Sequence, residues 1–118
     1  MRYLKLLLAV ILLVSCEEII EVVDISNENV VVLAPTDTST LTITDINFSW
    51  EAVEDAEQYK LQIATPNFES ANQIVLDTTI TTTNFNQDLE LGNYEWRVRA
   101  ENSDYQTAYS TQSFTIEE

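Results

Sequence analysis

Apolar and polar side chains alternate with a period of two along three stretches of the chain. Ile46, Phe48 and Trp50 are separated by Asn47 and Ser49. Tyr59, Leu61 and Ile63 are separated by Lys60 and Gln62. Tyr94, Trp96, Val98 and Ala100 are separated by Glu95, Arg97 and Arg99. That period puts successive side chains on opposite faces of a strand, one face packed and one wet. Four less regular runs complete the pattern. Val30 to Leu33 is β-branched and stops short of Pro35, which suits an edge strand. Gln73 to Leu76 is short, and Ile80 to Phe85 is rich in threonine, with high β-propensity. The last run, Ser110 to Ile116, turns Phe114 and Ile116 inward. Polar breaks separate these runs: Thr36 to Thr40, the acidic segment 51–58, Pro66-Asn67, and Leu89 to Asn93 with the only glycine. Seven short strands at this spacing predict an all-β fold, a seven-stranded antiparallel β-sandwich. Trp50 and Trp96 fall on the inward phase of their strands, so both are expected in the core rather than on a ligand platform.

The first residues follow a different rule. Arg2 and Lys5 precede an unbroken apolar run, Leu6 to Val14, and Ser15-Cys16 follows at once. The run falls short of the roughly 20 residues a membrane span needs. It has the layout of a secretory signal peptide, so residues 1–15 are expected to be removed. Residues 16–29 are acidic and carry no clear turn signal; they read as a tether, which fully extended would reach roughly 45–50 Å, with a short strand or helix through Ile19, Ile20, Val22 and Val23 as the alternative. Residues 30–118 then form one domain.

Processing also changes the charge. Every acidic residue lies beyond position 16, and two of the five basic residues lie before it, so the net charge moves from −15 to −17. A chain this acidic will not bind nucleic acid by neutralising phosphates, and anionic headgroups will not attract it. With one cysteine, no disulfide can form within the chain, and the fold depends on its apolar core. There is no histidine, which removes the common zinc, haem and nucleophile–histidine options, so no enzyme and no cofactor are expected.

Two resemblances sharpen the picture. Leu13-Val14-Ser15-Cys16 resembles the lipobox of bacterial lipoproteins, which implies that Cys16 is the lipidation site and that the membrane is reached through acyl chains. Ile46-x-Phe48-x-Trp50, then Ala56-x-x-Tyr59-x-Leu61-x-Ile63, then Leu89-x-x-Gly92-x-Tyr94-x-Trp96-x-Val98-x-Ala100 resemble a fibronectin type III domain, an immunoglobulin-like sandwich. The likeness covers residues 30–118 and implies core roles for Trp50, Tyr59 and Trp96, with Leu89 and Tyr94 forming a tyrosine corner. The whole precursor is similar to small lipoproteins of Bacteroidetes, where an acidic pair such as Glu17-Glu18 resembles a surface-export signal. The domain is also similar to the N-terminal domain of SusE-type outer-membrane lipoproteins. These likenesses imply an outer-membrane, envelope-facing protein that binds or adheres, or else an accessory subunit of a glycan-uptake-like complex.

Candidate contact residues follow from exposure and chemistry. Tyr105 and Tyr109 flank Thr107 in the loop before the last strand; such a loop can meet an envelope protein or glycan partner. Arg97 and Arg99 lie on the wet phase of their strand, with Lys60 on the neighbouring one; they can grip a carboxylate ligand or pair with local carboxylates across strands. Glu51, Glu54, Asp55 and Glu57 share one loop, but their spacing is not that of a calcium loop, so no metal site is expected there.

Overall fold

The computed structural model describes residues 21–118. The signal peptide, Cys16 and the start of the tether lie outside the described residues. Eight strands form: β1 (Val32–Ala34), β2 (Ser39–Leu41), β3 (Asp45–Trp50), β4 (Gln58–Thr65), β5 (Gln73–Ile80), β6 (Asn84–Asp88), β7 (Gly92–Glu101) and β8 (Ser110–Ile116). They build a three-stranded sheet, β1-β3-β6, facing a five-stranded sheet, β2-β8-β7-β4-β5. The fold class read from the pattern stands, with a sandwich of two layers and no helix among the described residues.

The strand count is corrected from seven to eight, and one pairing is parallel. Ser39–Leu41 lies where a polar turn was expected, yet it pairs in parallel with β8, Ser39 opposite Phe114 and Leu41 opposite Ile116. The chain is held there from both sides: Thr38 N donates to Ser113 O at 2.7 Å, and Glu117 N to Leu41 O at 2.9 Å. The threonine-rich run Ile80 to Phe85 is not one strand. Residues 81–83 make the reversal from β5 to β6, and β5 extends the short run that begins at Gln73.

The core forms where the inward phases of the two sheets meet. Ile46, Phe48 and Trp50 of β3 face Tyr59, Leu61 and Ile63 of β4, Tyr94, Trp96 and Val98 of β7, and Phe114 and Ile116 of β8, all buried. Leu89 is buried with them. Phe48 sets its edge against Trp96, with centroids 5.0 Å apart and planes at 70°, and against Phe114 at 5.8 Å and 63°. This edge-to-face arrangement suits the ring quadrupoles and adds about 0.5–1.5 kcal/mol per pair beyond area burial. Trp96 Nε1 donates to Pro35 O at 3.3 Å. Tyr94 Oη donates to Glu90 O at 2.8 Å, the tyrosine-corner bond, and its ring stacks on Phe114 at 5.3 Å. Gly92 opens β7 at φ +153°, a backbone setting that favours glycine.

The packed region reaches back beyond Val30. Ile25, inside the stretch read as tether, is 1% exposed and belongs to the core. Its neighbours Asp24 and Ser26 are exposed and bond to each other, Ser26 N donating to Asp24 Oδ1 at 2.9 Å. The turn closes as Glu28 N donates to Ile25 O at 2.9 Å. An apolar side chain between hydrogen-bonded polar neighbours is thus turned inward.

The loops sort to two ends. Segment 21–31, loop 51–57, turn 81–83 and loop 102–109 gather at the end where the chain enters, tied by Glu51 N to Val31 O at 2.8 Å, Trp50 N to Thr83 O at 3.1 Å and Glu57 N to Glu101 O at 2.8 Å. Loops 42–44, 66–72 and 89–91 lie at the opposite end, where Leu89 N donates to Thr44 O at 2.9 Å, while segment 35–38 crosses from the three-stranded to the five-stranded sheet along their edge.

Candidate functional site

Because Trp96 and Val98 of β7 point inward, Arg97 and Arg99 between them must point outward. The same alternation turns Lys60 and Gln62 of β4 outward. Register then decides the neighbours: Lys60 stands opposite Arg99, and Gln62 opposite Arg97. All three basic side chains of the described region therefore share the outer face of the five-stranded sheet.

Each cation has a different partner. Lys60 Nζ lies 3.3 Å from Asp77 Oδ1 across the β4–β5 pair. Both side chains are well solvated, at 29% and 47% exposure, so this pair contributes about 0–1 kcal/mol. Arg99 Nε donates to Glu101 Oε2 at 2.7 Å, and Gln58 Nε2 donates to Glu101 Oε1 at 3.0 Å. Burial works against ionisation of Glu101, but the Gln58 and Arg99 hydrogen bonds, with the charges of Arg99 and Lys60, outweigh it and hold the carboxyl below its ordinary value. Arg97 makes no ion pair among the described residues. Its Nε donates to Gln62 Oε1 at 2.7 Å.

The Arg97 guanidinium is clamped between two rings. Its carbon lies 4.0 Å from the centroid of Phe68 and 4.4 Å from that of Tyr109, and Arg99 lies 4.7 Å from the same tyrosine. Each such contact contributes about 0.5–1 kcal/mol at an exposed site, more where water is excluded. Two loops from opposite ends deliver the rings. Phe68 follows Pro66-Asn67, where Ser70 N donates to Asn67 Oδ1 at 2.7 Å, and Phe68 N donates to Glu95 Oε1 at 3.0 Å. Glu95, two residues from Arg97, thus holds the ring that covers Arg97. Tyr109 directly precedes β8, and the next residue is pinned by Ser110 Oγ donating to Val30 O at 2.7 Å. An open cleft of about 480 Å³ continues this face toward the opposite end, lined by Thr38, Asn67, Asn93, Glu95, Ser113 and Thr115.

The structure separates the two loop tyrosines. Tyr109 joins Arg97 and Arg99, whereas Tyr105 is 37% exposed at the entry end. Thr107 between them is 3% exposed: its Oγ1 accepts from Ala100 N at 3.1 Å and donates to Ala108 O at 2.8 Å. Asn102 shapes the Tyr105 loop through Oδ1, which accepts from Tyr105 N at 2.9 Å and Asp104 N at 3.2 Å. The carboxylates of Glu51, Glu54, Asp55 and Glu57 are exposed, and among the described residues no three His, Cys, Asp or Glu side chains gather to hold a metal. Sequence reasoning missed Phe68, Gln62 and Asn102. Gln62 was accessible in principle, since pairing the two alternating strands puts it opposite Arg97.

The fold has solved counterparts. The fibronectin(III)-like modules of Clostridium thermocellum CbhA are similar, with TM-score 0.55 and 11% identity over 75% of this chain and 96% of that chain. A fibronectin type III domain from the human KIAA0970 protein gives TM-score 0.57 and 14% identity, covering 78% of this chain and 77% of that chain. Domains d3-d4 of the rat CD45 extracellular region give TM-score 0.50 and 12% identity over 88% of this chain and 71% of that chain. No protein-family model and no curated protein matches the chain. The fold is therefore that of fibronectin type III domains.

Proposed function

We propose that the protein is a lipid-anchored, non-catalytic binding or adhesion module of the cell envelope, held at the outer membrane through Cys16. Its contact surface is the outer face of the five-stranded sheet around Arg97, Arg99 and Tyr109. The observation that supports this is the state of Arg97. In a chain of net charge −15, its guanidinium has no carboxylate within ion-pair distance among the described residues, and two rings and Gln62 fix its plane. A guanidinium held flat, with Nε committed and its two Nη groups left to donate, suits a carboxylate on a partner. Ordering such a side chain in advance lowers the entropy lost on binding.

Capture from envelope extract by the mature protein tests the reading, comparing wild type with Arg97→Gln and Tyr105→Ala. The proposal expects capture to be lost in Arg97→Gln and kept in Tyr105→Ala, with circular dichroism showing both variants folded. Loss in Tyr105→Ala alone moves the contact to the entry-end loop. Equal capture by all three proteins removes the face from consideration.

A further inference from the structure

We infer that the chain fixes which way the domain stands on the membrane: the entry end, with Tyr105 and the acidic loop, faces the lipid, and the opposite end points away. This rests on lipidation at Cys16, and it adds an orientation to that reading.

Two contacts seat the incoming segment. Ile25 is 1% exposed, packed in the core. Asn102 Nδ2 donates to Val23 O at 2.8 Å and to Asp55 O at 3.3 Å, so one side chain clasps the incoming segment, the 51–57 loop and, through its Oδ1, the turn that carries Tyr105. The packed domain therefore begins at Val23, not at Val30.

Lengths then decide the orientation. From Cys16 to Val23 a fully extended chain spans about 25 Å. Strand β7 has 10 residues and runs from one end of the sandwich to the other, about 33 Å at the usual rise per residue. The tether is shorter than the domain. The domain can tilt on its anchor, but it cannot invert, because bringing the opposite end down to the bilayer would need a tether at least as long as β7. A tether ending at Val30, longer by seven residues, would reach roughly 45–50 Å and would permit inversion.

The consequence concerns recognition. Val23 and Tyr105, 50% and 37% exposed, stand closest to the bilayer, where a bulky partner has least access. The cleft lined by Thr38, Asn67 and Ser113, and the Phe68 side of the Arg97 clamp, are held away from the lipid.

Energy transfer to the bilayer tests the inference. The full chain is expressed with p-acetylphenylalanine replacing Ser103, in the entry-end loop, or Ser70, in the opposite-end loop; both positions are exposed. Each is labelled with a donor fluorophore. Protein whose mass confirms acylation is reconstituted in phosphatidylcholine vesicles carrying acceptor-labelled lipid. Transfer is expected to be severalfold higher from position 103 than from position 70. Combining each with Asn102→Ala should narrow the difference, since the clasp is lost while Ile25 still seats the chain. Equal or reversed transfer in acylated wild type overturns the orientation, and an undiminished difference in Asn102→Ala overturns the role of the clasp. If no acylated protein forms, the anchoring reading fails instead, and mass alone reveals it.

Discussion

Tyr94→Phe isolates a single hydrogen bond in the turn between the two sheets. The substitution keeps the ring, which is 6% exposed and stacks on Phe114 at 5.3 Å with planes 16° apart. It removes only the hydroxyl that donates to Glu90 O at 2.8 Å. Glu90 is exposed, so its freed carbonyl can take up water, and the loss stays near the net value of an ordinary hydrogen bond, about 1 kcal/mol. For a domain of this size that corresponds to a drop in Tm of roughly 4–8 °C. The pH dependence supplies an internal control. Burial raises the Tyr94 pKa, and the nearby Glu90 carboxylate raises it further. A phenol whose folded pKa lies above its unfolded one contributes stability that is complete below the unfolded value, near 10, and is lost as pH rises through the folded value. The gap between wild type and Tyr94→Phe should therefore be full at pH 7 and narrow above about pH 10. Thermal unfolding followed by far-ultraviolet circular dichroism reads both. Equal Tm at pH 7, or a gap that widens in alkali, refutes the reasoning.

Other outcomes follow from the same contacts. Trp50→Ala should cost about 3–5 kcal/mol in urea denaturation, because a buried ring lying 5.7 Å from Tyr59 and 6.3 Å from Trp96 is lost; an unchanged midpoint would place Trp50 on the surface. Glu101→Gln should destabilise the protein at neutral pH and lose that penalty in acid. The Glu101 pKa is lowered on folding, so its contribution is present above the unfolded value and disappears as pH falls through the folded one; a penalty that persists in acid contradicts this. Ile25→Ser should lower Tm although position 25 lies before the first strand, and a silent substitution would show that the segment is not part of the packed unit.

The sandwich was legible in the chain wherever alternation was strict. Trp50, Leu61 and Trp96 sit on the inward phase of β3, β4 and β7, and tertiary packing had no reason to overrule a pattern that already matched the pleat. Strand β2 was not legible, because Ser39-Thr40-Leu41 has no alternation to read and owes its strand geometry to the free edge of β8. Thr81 to Thr83 misled for the opposite reason: threonine favours strands, and no glycine or proline marked the reversal. Ile25 looked like part of a tether because a single apolar residue between Asp24 and Ser26 does not by itself set a period. At the candidate site, spacing joined Tyr105 to Tyr109, whereas the turn at Asn102 and the start of β8 send them to different surroundings. Phe68 had no sequence signal linking it to Arg97; a hydrogen bond to Glu95 makes the connection.

The central claim is a domain tethered through Cys16, and metabolic labelling with a clickable palmitate analogue tests it most directly. Bacterial cells expressing the full chain should yield a labelled, membrane-bound protein from wild type, and from Cys16→Ala an unlabelled one, found as uncleaved precursor or released in soluble form. Label that persists in Cys16→Ala, or wild type that is soluble and unlabelled, would contradict the account.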